Sequence, residues 1–353
     1  MADGEVDTRG KDVFLVGENG QGKTNFLEAL YYCSYASSFR GAKDQELVRF
    51  GATDCVVSAD VADPPQNAHD QVNTRIAIAY SRGKKTIAMD GKTLQDRKEL
   101  LSVIPCVVFC HEDMDFISGT PESRRWFFDQ TQSLYDPVYL EDLRRYRRIL
   151  KTRNMVLKTP NQQNRALRES LDPQLIYYGL RVMEKRAEAV QYFSGIFEAL
   201  YAEVSQEEGI RVQYLPSWKE SAPEAVALIL RERGDREEAL GVSLSGPHRD
   251  LYRFVFQGRD FTQSASTGQK RLLALLLRIA QARLYTQMTL RRPVLLLDDA
   301  LLELDPIKKE KFLTVMPEYD QAFYTFLPGE YIEQHFKKDA LVYQVSQGNF
   351  VRH

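Results

Sequence analysis

The sequence is poor in cysteine: Cys33, Cys55, Cys106 and Cys110 are the only four in 353 residues. Cys106 and Cys110 are separated by three residues, not set in the Cys-x-x-Cys pairs of a zinc site. That excludes a disulfide scaffold, and reduced thiols are expected. Long apolar runs are also missing. None approaches the ~20 residues that span a bilayer, and the most apolar stretch, 272–277, is followed at once by Arg278. Residues 1–11 are polar and acidic, unlike a signal peptide. The expectation is a cytoplasmic protein with no membrane partner. Excess charge is lacking as well. The formal net charge is −2, so any nucleic-acid surface must be a local basic face rather than a property of the whole chain. No internal repeat or low-complexity tract is present.

What is present is the composition of an ordinary globular chain, long enough for one large domain or two smaller ones with a sizeable core. Residues 63–71 (D-P-P-Q-N-A-H-D-Q) read as a loop. Residues 75–80 and 86–89 read as short strands with a hairpin turn at 81–85, and 105–109 (P-C-V-V-F) as a buried strand. From Pro121 the pattern becomes helical for some 120 residues, rich in Arg, Glu, Leu and Tyr. Pro137, Pro160, Pro173, Pro216 and Pro223 are expected to punctuate it into several helices. From Val242 the pattern is again mixed. A helical run at 269–285 precedes 293–297 (P-V-L-L-L), a continuous apolar strand of the kind buried in a parallel sheet. The organisation is therefore α/β, then α, then α/β: a discontinuous outer domain, 1–119 and 241–353, carrying a helical insertion, 120–240.

The first strong motif lies in the outer domain. A short apolar strand, D-V-F-L-V, runs into Gly17-Glu18-Asn19-Gly20-Gln21-Gly22-Lys23-Thr24 and then into a helix. Strand, glycine loop and helix form the context of a phosphate loop. Glycines let the backbone approach phosphates closely, and successive N–H groups with the helix N-terminus bind the anion. Lys23 is placed to neutralise the β and γ phosphates, and the Thr24 hydroxyl to ligate Mg²⁺. ATP with Mg²⁺ is the expected ligand. A chance glycine-rich turn is the competing reading, and the correct flanks argue against it.

The second motif is the apolar strand that ends in Asp298-Asp299. A carboxylate delivered at the C-terminal end of a parallel strand suits a Mg²⁺ site. Asp298 would hold the metal and Asp299 would polarise the attacking water; an acidic turn is the plain alternative. The third is Ser266-Thr267-Gly268-Gln269-Lys270, which opens the helix of 269–285. Ser266 is a good cap, and the helix N-terminus could meet a phosphate; a simple capped helix explains the segment equally well. The order decides. A phosphate loop, a long insertion, S-T-G-Q, one helix and then L-L-L-D-D is the layout of ABC-type ATPases. Asp305 falls where that class carries its D-loop. In that class the serine-glycine segment completes the ATP site of a partner subunit, which implies an ATP-sandwiched homodimer.

Several segments together resemble one family, RecF, bacterial recombination-repair proteins with an SMC-like ABC head. They are 17–31 (G-E-N-G-Q-G-K-T-N-F-L-E-A-L-Y), 38–40 (S-F-R), 107–113 (V-V-F-C-H-E-D), 121–129 (P-E-S-R-R-W-F-F-D), 143–154 (L-R-R-Y-R-R-I-L-K-T-R-N), 245–250 (S-G-P-H-R-D), Gln269-Lys270-Arg271 and 295–305. The segment at 245–250 is the most diagnostic, because general ABC proteins lack it. The resemblance implies an ABC ATPase head, a P-loop parallel sheet with an antiparallel β part, plus an inserted α-helical arm. It implies ATP-dependent DNA binding at single-strand/double-strand gap junctions, with RecR and RecO, to help load RecA. It also makes His248 and Arg249 candidates for head structure or communication with the ATP site. Some positions depart from the family pattern. Leu302 stands where serine is usual, Leu251 where a second aspartate is, and His111 where proline is. Tyr324-Thr325-Phe326 replaces a threonine-rich switch strand, and the 16 residues before Gly17 contain no Asn-Phe-Arg strand. Slow hydrolysis is the expectation.

DNA binding is expected on the insertion. Residues 121–168 hold eleven Lys/Arg against five acids, a net of +6. Arg144, Arg148 and Lys151 recur at helical spacing on one face, with Arg145 beside them. Pairing with acids of a neighbouring helix, such as Glu184 and Glu188, is the alternative for any one arginine. Two other functions compete: a nucleotide-binding scaffold with little ATPase activity, and an ABC transporter nucleotide-binding subunit. The large arginine-rich insertion fits the transporter poorly.

Overall fold

The computed structural model describes residues 4–62, 73–159, 161–301, 304–329 and 340–353. The loop expected at 63–71, Pro160, Leu302 and Glu303 lie outside the described residues. By its own contacts the chain divides into two compact units. One is Met1–Asp113 with Leu290–Lys309 and Met316–His353; the other is Met114–Thr289 with Glu310–Val315. Residues 241–289, expected in the outer domain, pack instead within the helical unit.

The first unit is built on a six-stranded sheet. Its order is Asn349–Arg352, Leu341–Ser346, Asp12–Val16, Gln321–Phe326, Val294–Leu297, Cys106–Phe109. Every pairing is parallel except that of the edge strand Asn349–Arg352. The central strands are buried on both faces, which is why they read as unbroken apolar runs rather than alternating ones. The helix Lys23–Tyr35 covers the sheet with Phe26, Leu27 and Tyr31, in one core with Leu15, Val108 and Phe323. An antiparallel four-stranded sheet (Asp54–Ala62, Asn73–Ser81, Lys84–Met89, Lys92–Thr93) completes the unit, and its hairpin turns at Arg82 and Gly83. This is the expected α/β head architecture.

The second unit is mostly helical: Pro121–Ser133, Pro137–Leu157, Gln162–Ser205, Pro223–Leu240 and Thr267–Thr289. Pro121, Pro137 and Pro223 occupy first-turn positions, where a missing N–H costs nothing. Two expectations need correction. Pro173 does not end a helix but lies inside the 44-residue Gln162–Ser205. Both it and Glu169, whose carbonyl loses the bond, are exposed, so water replaces what proline removes. The insertion is also not purely helical. Ile210–Leu215 pairs antiparallel with Leu251–Phe256, and Pro216 follows that strand.

A buried charge network holds this unit. Arg186 is 3% exposed. Its guanidinium donates to both oxygens of Asp129 at 2.8 and 3.0 Å, to Asp250 at 2.8 Å and to the Pro247 carbonyl at 2.7 Å. Asp129 also accepts from Tyr139 and Arg147, and Asp250 from Tyr214 and the Ser217 N–H. Thus 121–129 and 245–250 meet on one side chain. His248 sits in the same region. Its Nδ1 lies 2.6 Å from the Tyr146 hydroxyl and its Nε2 3.0 Å from the Ser243 carbonyl. The carbonyl can only accept, so Nε2 carries the proton and Nδ1 accepts from tyrosine. His248 is thereby a structural residue of the helical unit.

Burial pushes the His248 pKa down to about 4, against 6.5 when unperturbed. The unfolded chain therefore binds a proton that the folded chain refuses between those values. The stability due to this group is full above 6.5 and lost as pH falls toward 4. Between pH 7 and pH 5 its loss amounts to about 2 kcal/mol. Urea unfolding at the two pH values is expected to show this difference, and His248→Gln is expected to reduce it by that amount.

Candidate nucleotide site

The strand Asp12–Val16 delivers Gly17 at the C-terminal edge of the sheet, where the Gly17 N–H donates to the Phe326 carbonyl at 3.1 Å. Gly17 is required by space. A Cβ there would lie 2.3 Å from the Val345 carbonyl oxygen of the adjacent strand. Gly17 is buried, Glu18, Asn19 and Gly20 are exposed, and Gln21 and Gly22 are half-buried. Gln21 ties the loop to the 346–349 turn: its side-chain oxygen accepts from the Gln347 N–H at 2.7 Å and its carbonyl from the Gly348 N–H at 2.9 Å. The loop is thus braced from two strands before it enters the helix at Lys23.

Lys23 is only 4% exposed, yet it forms no ion pair among the described residues. Its Nζ is held by the Gly17 carbonyl at 2.6 Å and the Glu18 carbonyl at 3.1 Å. A buried ammonium without a counter-charge is expensive, and an anion at the loop removes that cost. One residue on, the Thr24 hydroxyl donates to Asp298 Oδ1 at 2.9 Å across 274 residues of sequence. Thr325, buried in the intervening strand, joins the same cluster. Its hydroxyl lies 2.9 Å from Asp299 Oδ1 and 3.3 Å from Asp298 Oδ1, and accepts from the Asp299 N–H at 2.8 Å. The sequence marks Thr325 only as a remnant of a switch strand. Its place between the two aspartates follows from strand order, which local sequence does not reveal.

Burial pushes the Asp298 carboxyl up to about 6, with the charge of Asp299 adding to it and the Thr24 bond opposing it. A hydroxyl and a half-buried carboxylate, both hard oxygen donors, fit a small divalent cation that would complete its shell with phosphate and water oxygens. Among the described residues no cluster of three or more acidic, histidine or cysteine ligands exists, so a metal here depends on those further oxygens. Asp299 holds a left-handed backbone, φ 48°, rare for a non-glycine residue, at the point where the chain turns off the strand.

The remaining predicted residues have local roles of their own. Ser266 and Gln269 form a capping box: the Gln269 side-chain oxygen accepts from the Ser266 N–H at 2.9 Å, and Ser266 Oγ from the Gln269 N–H at 3.2 Å. Ser266, Thr267 and Gly268 are exposed, Lys270 is half-buried, and nothing lies within 4 Å of a Cβ built on Gly268. The chain's own packing therefore does not demand glycine there. Asp305 caps the helix Pro306–Thr314, accepting from the Lys308 N–H at 3.0 Å and pairing with its ammonium at 2.9 Å. Bonds from Lys308 hold its carboxyl below the usual range.

The basic segment is largely neutralised internally. Arg153 is fully buried against Glu237 and Asp172, Arg147 meets Asp129, and Arg165 and Arg168 share Glu238. Arg145 pairs with Glu141 at 2.8 Å and donates to the Tyr178 hydroxyl at 2.9 Å. The partners are not Glu184 and Glu188; the latter pairs with Lys185. Arg144 is half-buried, whereas Arg148 and Lys151 are exposed and make no ion pair among the described residues. The net of +6 thus overstates the charge available to a ligand.

Residues 3–349 match the family model described as the RecF/RecN/SMC N terminal domain. The DNA replication and repair protein RecF of Treponema pallidum (strain Nichols) is 41% identical over 348 residues, covering 99% of this chain and 97% of that protein. The protein of the same name from Staphylococcus aureus (strain JH9) is 30% identical, covering 96% and 93%. Among solved structures, the recombination mediator protein RecF-ATP in the RecFOR pathway superposes with a TM-score of 0.87 at 27% identity, covering 99% of this chain and 93% of that one. An Smc head bound to the C-winged helix domain of ScpA shares the fold, with a TM-score of 0.55 at 14% identity, covering 98% and 90%.

Thr325→Val keeps the side-chain volume and removes the hydroxyl that spans the two aspartates. The affinity for Mg²⁺ in the presence of a fluorescent ATP analogue is expected to fall on the order of tenfold, as for other partners that orient a metal ligand. Nucleotide binding without metal is expected to stay within about twofold, since Lys23 and the loop are untouched. Parallel titrations of nucleotide and metal check both.

Proposed function

This chain belongs to the RecF family, and on that premise we propose that it is an ATP-dependent DNA-binding protein of recombinational repair and replication. The observation that carries the proposal is the pairing at one sheet edge of two opposite charges, Lys23 buried and Asp298 half-buried. Among the described residues the Lys23 ammonium has no carboxylate partner and the Asp298 carboxylate no cation, and Thr24 stands between them. A polyphosphate with a divalent cation satisfies both at once. Thr24 and Asp298 would hold Mg²⁺, which when bound neutralises charge on the β and γ phosphates. Lys23 and the N–H groups of the 17–24 loop bind those phosphates. Asp299, beside Asp298, orients a water for slow hydrolysis.

ATP then acts as a timer rather than a motor. The exposed N-terminus of the helix Thr267–Thr289, with Ser266, Thr267, Gly268, Gln269 and Lys270, contacts the nucleotide of a second copy. The open space around Gly268 supports this, because a glycine that its own chain does not need is explained by close approach of another. Asp305 lies in the segment that would face the partner in such a homodimer. DNA lies along the exposed cations of Pro137–Leu157, with Arg148 and Lys151 foremost, Arg144 beside them and Arg145 committed to its internal pair. The duplex is bound through its phosphates at single-strand/double-strand gap junctions. By family likeness the chain acts there with RecR and RecO to help load RecA.

The test is fluorescence anisotropy of labelled gapped DNA, with ATP·Mg²⁺ and without nucleotide, at two salt concentrations. Binding is expected to tighten with ATP, to be lost in Lys23→Met and to weaken with salt. Absence of binding under every nucleotide condition would leave the chain a nucleotide-dependent scaffold.

A further inference from the structure

The nucleotide unit carries a feature that the ATP site does not use. Phe50 is fully exposed, at 103% relative accessibility, and it is not on a loose tail. It sits at the tip of a tight turn closed by the Ala52 N–H donating to the Arg49 carbonyl at 2.9 Å. Gly51, at φ 84°, supplies the left-handed third position that a type II turn requires. The short helix that precedes the turn is anchored. Asp44, in the preceding short helix Asp44–Leu47, accepts from the Tyr32 hydroxyl at 2.9 Å and pairs with Lys85 at 2.8 Å. A lone exposed phenylalanine is ordinary by itself; the charge gathered around this one is what gives it meaning.

The surroundings say which kind. Strand Asp54–Ala62 begins just after the turn, and Asp54 pairs with Ser81, so the Arg82-Gly83-Lys84 hairpin turn lies at the same end of the sheet. Lys43, Arg49, Arg82 and Lys84 are all exposed and form no ion pair among the described residues. Two acids at this end, Glu46 and Asp54, are exposed as well, but each is hydrogen-bonded within its own turn and the four cations outnumber them. Glu46 accepts from the Lys43 N–H at 2.8 Å, and Asp54 is bonded to the Thr53 hydroxyl at 2.7 Å. An apolar ring among uncommitted cations complements nucleic acid, which offers phosphates and base faces together.

We propose that the Arg49–Phe50 turn is a DNA contact in which the cations hold phosphates and Phe50 stacks on the exposed base pair at a gap junction. Within a continuous duplex the ring would have to wedge between stacked base pairs, which is costly. At a junction one face of the end pair is already bare, and stacking needs no unstacking. The turn thus selects the junction over the duplex beside it. This rests on the DNA-binding reading above.

The test uses the full-length protein with ATP·Mg²⁺ and three labelled DNAs of equal length: gapped, continuous duplex and single-stranded. Phe50→Ala removes a side chain with no packing partners, so unfolding temperature and ATP binding are expected to stay as in wild type. Its affinity for gapped DNA is expected to fall about tenfold, the scale of one lost base–aromatic stack. Its affinity for continuous duplex is expected to hold, and Phe50→Trp to restore the junction preference. Arg82→Ala with Lys84→Ala is expected to weaken all three and to flatten the salt dependence. Equal affinity of wild type and Phe50→Ala for gapped DNA overturns the proposal, and more so if the variant instead loses co-elution with purified RecR, which would make the turn a protein dock. Failure of wild type to bind any DNA sinks the broader reading instead, a separate result.

Discussion

The site depends on two opposite charges gathered at one edge of a parallel sheet, Lys23 buried and Asp298 half-buried. Lys23 and Asp298 are far apart in sequence and reach each other's neighbourhood because Gln321–Phe326 lies between Asp12–Val16 and Val294–Leu297. Parallel pairing puts all three C-terminal ends at one edge, and the register is tight: Val16 lies beside Phe326, and Leu297 beside Tyr324. The central strand therefore extends past the acidic one, which is what places the Thr325 hydroxyl over both aspartates. Stacking of Phe14 on Tyr324, with centroids 4.8 Å apart, helps fix that register. Slipping by one residue would turn Thr325 to the other face and leave Asp298 and Asp299 without it.

The helical unit solves a different problem with the same device. Asp129 and Asp250 are buried and would be untenable alone; Arg186 satisfies both. Such a triad adds little net stability over apolar packing, but it cannot be replaced piecemeal, because any single loss strands a buried charge. This gives S-G-P-H-R-D a physical account. Pro247 offers its carbonyl to Arg186, His248 locks Tyr146 to the Ser243 carbonyl, and Asp250 takes the arginine. The segment is a hub for three helices and a strand, not a reaction centre.

What can be read from the sequence is local. The phosphate loop declares itself because strand, loop and helix are contiguous, and the apolar strands because burial on both faces leaves no alternation to decode. The 81–85 hairpin is legible for the same reason. Strand Ile210–Leu215 escapes notice, although I-R-V-Q-Y-L alternates with the period of two that a half-buried strand shows; its helical neighbours mask it. Pro173 misleads because proline breaks a helix only where its lost bond cannot be replaced. The arginine-rich segment misleads most. Counting charge treats every side chain as solvated, whereas Arg147, Arg153, Arg165 and Arg168 find carboxylates outside their own stretch of helix, such as Asp172, Glu237 and Glu238. The Arg49–Phe50 turn is hidden for the opposite reason, since one aromatic and a few scattered cations form no pattern until a sheet end collects them.

The position of that turn bears on how ATP could govern DNA binding. Tyr32 and Thr24 lie on one helix, so the side chain that holds Asp44, in the short helix before the turn, and the Thr24 hydroxyl belong to a single element. A rigid link has no second state for a nucleotide to select, and allosteric coupling requires one. The dependence on ATP would then come from number rather than shape. A lone turn with a few phosphate contacts would bind weakly, while an ATP-joined pair would present two turns to one DNA at a high effective concentration, and affinity would rise without any new contact in either copy. Hydrolysis that separated the copies would let the DNA go. On this account the aspartates at the sheet edge set how long the junction is held, and the turn sets which DNA is held.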